Sequence, residues 1–281
     1  MENSFALFVS DCALKALLYE LSAGPKPGLV DRLNNGAHKD MGFLTFIDSA
    51  ISLRPWFFCF ADFAATSSLP EQALLAGARS LGERAERAML NATGGINTHK
   101  GAIFSLGLIC LAAGRLYAAK NSLTPGGLCA LAGIIASDTP GELEGAAAKA
   151  LPTHGEAQYL LHGLTGIRGE AAKGFPSVTG AGFPVLEGLI KNGVSENDAS
   201  VITLLHLMAK VEDTNAVRRG GLARARELCA EIGNVLAREN DVASLIDYAA
   251  ELDKRLIAEN ISPGGCADLL AVCWFVKKLC S

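Results

Sequence analysis

The sequence has little charge and few aromatic side chains, and these shortages exclude several classes of protein. Charged residues are 19% and aromatic residues 6% of the 281 residues, whereas 50% are hydrophobic. A chain this apolar can bury a large core and is not expected to be disordered. The net charge of −4 lacks the basic excess of a general nucleic-acid-binding protein. A polyanion site must therefore be local, built from a few lysines, arginines and histidines.

The N-terminal stretch lacks the pattern of a signal peptide. Glu2, Asp11 and Lys15 fall within an apolar-periodic stretch, where a signal peptide would have a basic start and then an uncharged run. The longest apolar runs, at 56–61 and 103–113, are shorter than the roughly 20 residues that cross a bilayer. We therefore expect a soluble, cytoplasmic protein with neither a membrane nor a nucleic acid as partner.

Paired cysteine motifs are absent as well. The eight cysteines include no C-x-x-C pair, and most of them lie among leucine and alanine. This pattern predicts buried free thiols in a reducing compartment, and it argues against a disulfide framework or a zinc site.

Strand patterns are scarce, and helical spacing takes their place. Apolar residues recur at steps of three and four along 5–16, 74–89 and 201–208. No linker or low-complexity segment divides the chain. The sequence predicts an all-α fold of about ten to twelve helices, a single domain over 1–281 with functional glycine-rich loops.

Several helix starts can be placed from capping residues. Ser195 with Asp198 forms a capping pattern, and Thr139-Pro140 places proline at a first helical position. The echo between TPGG at 124–127 and SPGG at 262–265 is interpreted as two independent helix caps, in preference to an internal duplication.

Five polar, glycine-bearing segments interrupt the helices. Loops in helical bundles are usually short, so richly functionalised ones suggest side chains that converge on a pocket. The five glycine-rich segments are PKPGLVDRLNNGAHKDM (25–41), ATGGINTHKG (92–101), GIRGEAAKGFPSV (166–178), VEDTNAVRRGG (211–221) and SPGGCADLLA (262–271).

The chemistry of these segments suits phosphate. In 92–101, Thr98 is predicted to cap a helix that begins near Gly101, with His99 and Lys100 at a helix start that attracts anions. An ordinary glycine-rich turn with a solvated lysine is an equally good interpretation of that segment. The aspartates and histidine of 25–41 could hold a magnesium-bound triphosphate, or Asp40 could merely cap the next helix.

The other three segments leave similar alternatives. Arg168-Gly169-Glu170 could clamp a substrate or form a surface ion pair, which contributes at most about 1 kcal/mol. Asp213 with Asn215 offers a carboxylate and an amide, with structural ion pairing as the alternative. Gly264 and Gly265 leave room for a ligand, or they start an ordinary helix.

Together the five glycine-rich segments resemble the triphosphoribosyl-dephospho-CoA synthase family, whose product is a prosthetic-group precursor for citrate lyase or malonate decarboxylase. The likeness runs from Leu14 to Phe275. Two departures stand out. Cys266 replaces a usual serine, and the additional Arg218 makes Arg219 the better match to the RGG arginine of the family.

The resemblance implies transfer of the triphosphoribosyl group of ATP to the 2′-hydroxyl of 3′-dephospho-CoA, with release of adenine. The reaction needs a base and a proton donor, and Mg²⁺ with several cations would suit the phosphates. It also implies that the product passes to a holo-acyl-carrier-protein transferase; a homo-oligomer is one arrangement to test.

Roles follow from the resemblance for fifteen residues. The implied catalytic residues are Glu170 as base, His38 and His99. The implied metal ligands are Asp40, Asp213 and Asp268. The implied substrate-binding residues are Lys26, Asn97, Lys100, Arg168, Asn215, Arg219, Ser262, Gly264 and Gly265, with Lys100 and His99 on the triphosphate.

Two other functions are alternatives to this transfer reaction. A magnesium-dependent nucleotide hydrolase on a helical scaffold needs the same carboxylates and cations, but it would consume ATP without dephospho-CoA. A non-catalytic interaction protein predicts exposed apolar stripes instead of polar glycine-rich loops. Neither the acceptor system nor which carboxylate is the base can be distinguished from the sequence.

Overall fold

A computed structural model describes residues 4–145 and 153–281. Within these ranges the chain forms fifteen α-helices and no strand, which confirms the all-α prediction. The helices are α1 (Ser4–Ser22), α2 (Phe43–Thr66), α3 (Glu71–Gly77), α4 (Arg79–Ala92), α5 (Lys100–Ala118), α6 (Pro125–Ile135), α7 (Gly141–Glu144), α8 (His154–His162), α9 (Gly166–Ala172), α10 (Phe183–Lys191), α11 (Glu196–Met208), α12 (Thr214–Gly220), α13 (Leu222–Leu236), α14 (Val242–Ala258) and α15 (Gly264–Leu279). A π-helical turn, Val178–Gly182, precedes α10.

The number of helices exceeds the ten to twelve expected, because short helices form inside segments predicted as loops. The helix α9 lies within 166–178 and α12 within 211–221, and each has seven residues. Two turns are too few to show an apolar period in the sequence. Two of the glycine-rich segments therefore present their polar side chains from helices, which restricts where those side chains can point.

The core is centred on α5 and α15. Both helices are buried over most of their length, and α5 packs against α2, α6 and α15. At Gly114 a Cβ would lie 2.1 Å from the carbonyl oxygen of Ala61, so only glycine allows α5 to approach α2 this closely. Buried apolar side chains from α1 through α15 form one cluster. The eight cysteines are all free, as predicted.

Among residues 4–145 and 153–281, two helices, α2 and α5, are long and apolar enough to cross a membrane by length and composition. The apolar runs that look too short in the sequence are parts of these longer helices. The most apolar window of α5 is 67% buried inside the bundle and that of α2 is 28% buried. Packing in the core therefore accounts for the apolar character of α5, whereas many residues of α2 are only partly buried.

The predicted caps form at some helix starts and fail at others. Thr124 accepts a hydrogen bond from the N–H of Gly127 at 3.1 Å, and Ser195 accepts one from Asp198 at 3.1 Å. The prediction at Thr139 is wrong, because its hydroxyl donates back to a carbonyl oxygen of the preceding turn and α7 begins without a side-chain cap.

Candidate functional site

A large cavity of about 1330 Å³ draws its wall from all five glycine-rich segments. The prediction that segments spread from residue 25 to residue 271 converge is confirmed. The fifteen predicted site residues all line this cavity: Lys26, His38, Asp40, Asn97, His99, Lys100, Arg168, Glu170, Asp213, Asn215, Arg219, Ser262, Gly264, Gly265 and Asp268. Their individual roles remain predictions, and the contacts below favour some of them over others.

The first segment is shaped by a buried carboxylate. Asp31 accepts hydrogen bonds from the backbone N–H groups of Lys26, Leu33 and Asn34 at 2.7 to 3.0 Å. Asp253 on α14 accepts a further bond from the side-chain amide of Asn34 at 2.9 Å. Asp31 is 1% exposed. Its role is therefore to fold the loop, and it is not free to hold a metal.

Lys26 forms a buried ion pair with Glu20 of α1. The exposed fractions are 1% for Lys26 and 5% for Glu20, and both line the cavity. Burial raises the pKa of Glu20, and the Lys26 ammonium opposes that rise. Sequence reasoning missed Glu20, although an acidic residue within the apolar helix α1 was an available signal. Because Lys26 already has this partner, a phosphate would have to compete with Glu20 for it.

His99 is buried and neutral. Its Nδ1 lies 2.6 Å from the hydroxyl of Ser49, which in turn accepts a hydrogen bond from Thr98 at 2.7 Å. Burial lowers the pKa of His99 to about 3, and the charge of Lys26 adds to the effect. Nε2 has no hydrogen-bond partner among the described residues. Of the roles predicted for His99, a neutral donor fits, and a cationic group does not.

The structure confirms that α5 begins next to Gly101, but it corrects the predicted cap. Thr98 does not cap this helix, because its hydroxyl is bonded to Ser49 and α5 begins at Lys100. The side-chain oxygen of Asn97 accepts the hydrogen bond of the Lys100 N–H at 3.2 Å. The Lys100 ammonium pairs with Glu86 of α4 at 2.5 Å. Lys100 is thus neither simply solvated nor unpaired, and Asn97 shapes the helix start.

Asp213 ties α12 to α15. One carboxylate oxygen accepts hydrogen bonds from the N–H groups of Asn215 and Ala216, and the other from Cys266, at 2.8 to 3.0 Å. A Cβ at Gly265 would lie 2.8 Å from that second oxygen, which explains the glycine. Burial raises the pKa of Asp213 against these hydrogen bonds. The predicted metal role of Asp213 is therefore disfavoured, because both of its oxygens are engaged with backbone.

The other two predicted metal carboxylates have free oxygens. None of the described residues donates a hydrogen bond to Asp268, and burial raises its pKa well above the usual range, with Glu20 and Asp213 adding to the rise. Asp40 is 65% exposed at its side chain and lies 3.8 Å from His38. The alternative role of Asp40 as a helix cap is wrong, since Gly42 occupies the N-cap of α2.

His38 and Arg219 lie together at the cavity wall. The Nη1 of Arg219 donates to the carbonyl oxygen of Ala37 at 2.8 Å and to the side chain of Asn260 at 3.0 Å, while Nη2 lies 3.3 Å from Nδ1 of His38. The Nε2 of His38 lies 3.0 Å from the Ser262 hydroxyl. Ser262 therefore does not cap α15, which has no side-chain cap. Burial lowers the pKa of His38, and the positive charge of Arg219 lowers it further.

The segment at α9 contributes Arg168 and Glu170. Nη1 of Arg168 lies 3.7 Å from Oε1 of Glu156, and its Nη2 lies 4.0 Å from Oε2 of Glu142. Sequence reasoning did not single out these two carboxylates as site residues. One oxygen of Glu170 accepts a hydrogen bond from the N–H of Ser177 at 2.7 Å, and burial raises the pKa of this carboxyl. Arg168 is positioned by carboxylates, whereas Glu170 has no ion pair among the described residues.

The cavity thus combines groups suited to phosphate and to proton transfer. It holds cations, a neutral buried imidazole and two carboxylates with free oxygens. Among the described residues, no group of three or more His, Cys, Asp or Glu side chains could hold a metal ion by itself. Mg²⁺ needs only one or two protein carboxylates when it is bound together with phosphate oxygens and water. The donor set fits an ion that arrives with a nucleotide.

Comparison with known proteins identifies the family. The model of the CitG family, ATP:dephospho-CoA triphosphoribosyl transferase, matches residues 6–281. The chain is 44% identical over 263 residues to the 2-(5″-triphosphoribosyl)-3′-dephosphocoenzyme-A synthase of Pectobacterium atrosepticum, which covers 93% of this chain and 85% of the relative. It is 40% identical over 272 residues to a probable enzyme of the same name from Citrobacter koseri, covering 95% and 89%.

A solved structure shares the fold. The chain resembles a crystal structure from Archaeoglobus fulgidus, of a suggested triphosphoribosyl-dephospho-CoA synthase, with a TM-score of 0.50 and 18% identity. The match covers 81% of this chain and 95% of the other. This similarity concerns the fold alone. The sequence matches decide the family: the chain belongs to the ATP:dephospho-CoA triphosphoribosyl transferase family and is a triphosphoribosyl transferase.

Proposed function

We propose, on the premise of that family, that the cavity binds ATP and 3′-dephospho-CoA together and joins them. The bond between C1′ of the ATP ribose and adenine breaks, and a bond forms from C1′ to the 2′-oxygen of dephospho-CoA. The hydroxyl proton passes to a base, and adenine leaves with a proton. The carrying observation is that all fifteen predicted residues line one cavity of about 1330 Å³, larger than the ~300–1,000 Å³ of most single-ligand pockets.

Glu170 is proposed as the base for the 2′-hydroxyl. A general base works best when its pKa approaches the operating pH, and burial raises the pKa of Glu170 in that direction. The hydrogen bond from Ser177 fixes one carboxylate oxygen, which orients the other. Because Glu170 has no ion pair among the described residues, it can accept a proton without first losing a partner.

The start of α5 is proposed as the triphosphate site. A helix N-terminus presents backbone N–H groups and the positive end of the helix dipole to an anion. Lys100 adds a cation there, and the neutral His99 adds a donor once its buried Nε2 meets an acceptor. Lys100 would exchange Glu86 for phosphate, so part of its charge is already compensated in the free enzyme.

Magnesium is proposed to enter with the triphosphate. Asp268 and Asp40 are the predicted metal carboxylates whose oxygens are not engaged with backbone, so they would hold the ion beside the phosphates. A buried carboxylate without a partner is unfavourable, and an arriving cation would relieve that cost at Asp268. The ion would neutralise part of the charge of the triphosphate.

The experiment is a product assay with purified protein, ATP, Mg²⁺ and dephospho-CoA. We expect free adenine and a product heavier than dephospho-CoA by one triphosphoribosyl unit, with neither formed when dephospho-CoA is omitted. Adenine released equally fast without the acceptor would contradict the transfer and favour the nucleotide hydrolase. Phosphate or diphosphate as the main product would contradict both the bond formed and the assignment of the cavity.

The cellular setting completes the proposal. The product would pass to a holo-acyl-carrier-protein transferase serving citrate lyase or malonate decarboxylase, and the enzyme would work in the cytoplasm. Genes flanking this one distinguish the two acceptor systems. Sedimentation of the purified protein tests whether it is a homo-oligomer.

A further inference from the structure

A second pocket of about 620 Å³ opens beside the cavity. Its wall comes from the loop at 36–40, the last turn of α12 and the end of α14 with Asn260. Four residues line both spaces, namely His38, Asp40, Arg218 and Arg219. The second pocket is therefore a side branch of the cavity, and a ligand can occupy both.

The second pocket carries unneutralised positive charge. Lys39, Arg218 and Arg219 line it, against the single carboxylate of Asp40. Lys39 and Arg218 are exposed, and neither forms an ion pair with any described residue. Several arginines elsewhere are ion-paired, as Arg224 is with Glu259 at 2.8 Å. The excess positive charge of the second pocket therefore suits an anionic ligand.

Arg219 is fixed in place before any ligand arrives. Its Nη1 donates to the carbonyl oxygen of Ala37 and to Asn260, and its Nη2 lies against His38. These bonds leave Nε and part of Nη2 for another acceptor. A preorganised guanidinium loses little freedom on binding and can engage a phosphate through two parallel bonds. The apolar residues Ile257 and Ala258 also line the second pocket.

We propose that the second pocket binds the diphosphate of dephospho-CoA and directs its pantetheine arm out of the enzyme. This inference rests on the proposed function. The diphosphate is attached to the same ribose whose 2′-hydroxyl reacts, so it must lie close to the reacting atoms. The second pocket adjoins the cavity through four shared residues. None of the residues at the α5 helix start, proposed for the triphosphate, lines the second pocket, whereas Asp40, proposed to hold the ion, lines both spaces. Ile257 and Ala258 suit the carbon chain of the arm.

The test compares binding and kinetics in Arg218→Ala and Lys39→Ala. Each lost charged contact is expected to raise the Kd for dephospho-CoA, measured by calorimetry without ATP, about tenfold. The KM for dephospho-CoA should rise with it, while the KM for ATP stays unchanged. Adenosine, which lacks the diphosphate, should bind wild type and variants equally. Arg238→Ala is the matched control, an exposed arginine outside both pockets.

Other outcomes overturn the inference. A rise in the KM for ATP with unchanged binding of dephospho-CoA would assign the second pocket to the triphosphate. Unchanged affinity for both substrates would show that it binds neither. Failure of the proposed function is distinguishable, because it would appear in the wild type as adenine release without dephospho-CoA, whereas the inference is tested by the variants and by calorimetry.

Discussion

The carboxylate of Asp268 lies directly against the backbone of Gly101, so that a Cβ at residue 101 would come within 1.9 Å of its Oδ2. This contact joins the first turn of α5 to the second turn of α15 at the cavity wall. No side chain other than the hydrogen of glycine fits between them. The proposed triphosphate site and the proposed metal carboxylate are thereby held at a fixed separation.

Gly101→Ala is therefore expected to displace Asp268 and reduce turnover. Because the methyl group must move the carboxylate, we expect kcat/KM to fall at least about tenfold, a loss of only ~1.4 kcal/mol of transition-state stabilisation. The folded state should persist, as alanine favours helix over glycine. Steady-state assays and thermal melting measure the two effects. Gly233→Ala on α13 is the control, since a Cβ there meets nothing within 4 Å; equal loss in both variants would contradict the prediction.

Asp268→Asn should lower activity and raise stability. Folding raises the pKa of Asp268, so its charged form costs stability once the pH exceeds the unfolded value of about 3.9. Asparagine removes that charge. The Tm of the substrate-free variant should exceed that of wild type at neutral pH, and the difference should shrink toward pH 4. A lower Tm at neutral pH would show that the carboxylate is compensated in the folded protein.

Glu170→Gln should remove the acid limb of the pH profile. Burial raises the pKa of Glu170, so kcat/KM of the wild type should fall as the pH drops through a value above the ordinary one for glutamate. Glutamine keeps the shape but cannot take the proton, and we expect a loss of about 100-fold or more. Glu187→Gln, at a partly exposed residue paired with Lys191, is the control. Retention of the acid limb in Glu170→Gln would assign it to another group.

Asp40→Asn tests the proposed metal role at the exposed carboxylate. Since Gly42 is the N-cap of α2, no capping is lost and the Tm should stay unchanged. If Asp40 holds Mg²⁺ beside the triphosphate, turnover should fall roughly 100-fold and recover in part at raised Mg²⁺. Near wild-type turnover at ordinary Mg²⁺ would leave Asp268 as the carboxylate for the ion.

His99 should remain neutral across the physiological range. Burial lowers its pKa to about 3, so its imidazole ¹⁵N resonances should not move between pH 5 and pH 8. The partly buried His38 provides an internal comparison. A titration of His99 midway through that range would show that its ring is hydrated, and a cationic role on the phosphates would then become tenable.

Similar sequence patterns led to different structures. Thr124 caps α6 as the TPGG pattern predicts, whereas Ser262 of the SPGG pattern faces His38 and leaves α15 uncapped. The local pattern cannot distinguish them, because a hydroxyl bonds to whichever partner the rest of the fold brings near. Asp213 illustrates the same point, since a carboxylate suited to a metal is occupied by backbone N–H groups of two helices.

The sequence by itself determined the all-α class, the family and the inventory of the cavity, because apolar periodicity and long polar motifs are local along the chain. Tertiary structure alone decided which charges are free. It paired Lys26 with Glu20 and Lys100 with Glu86, buried His99, and left Asp268 without a hydrogen-bond donor from the part of the chain that the structure describes. Those outcomes depend on distances between helices far apart in sequence, and the pKa and availability of each group follow from burial and neighbours that no single segment encodes.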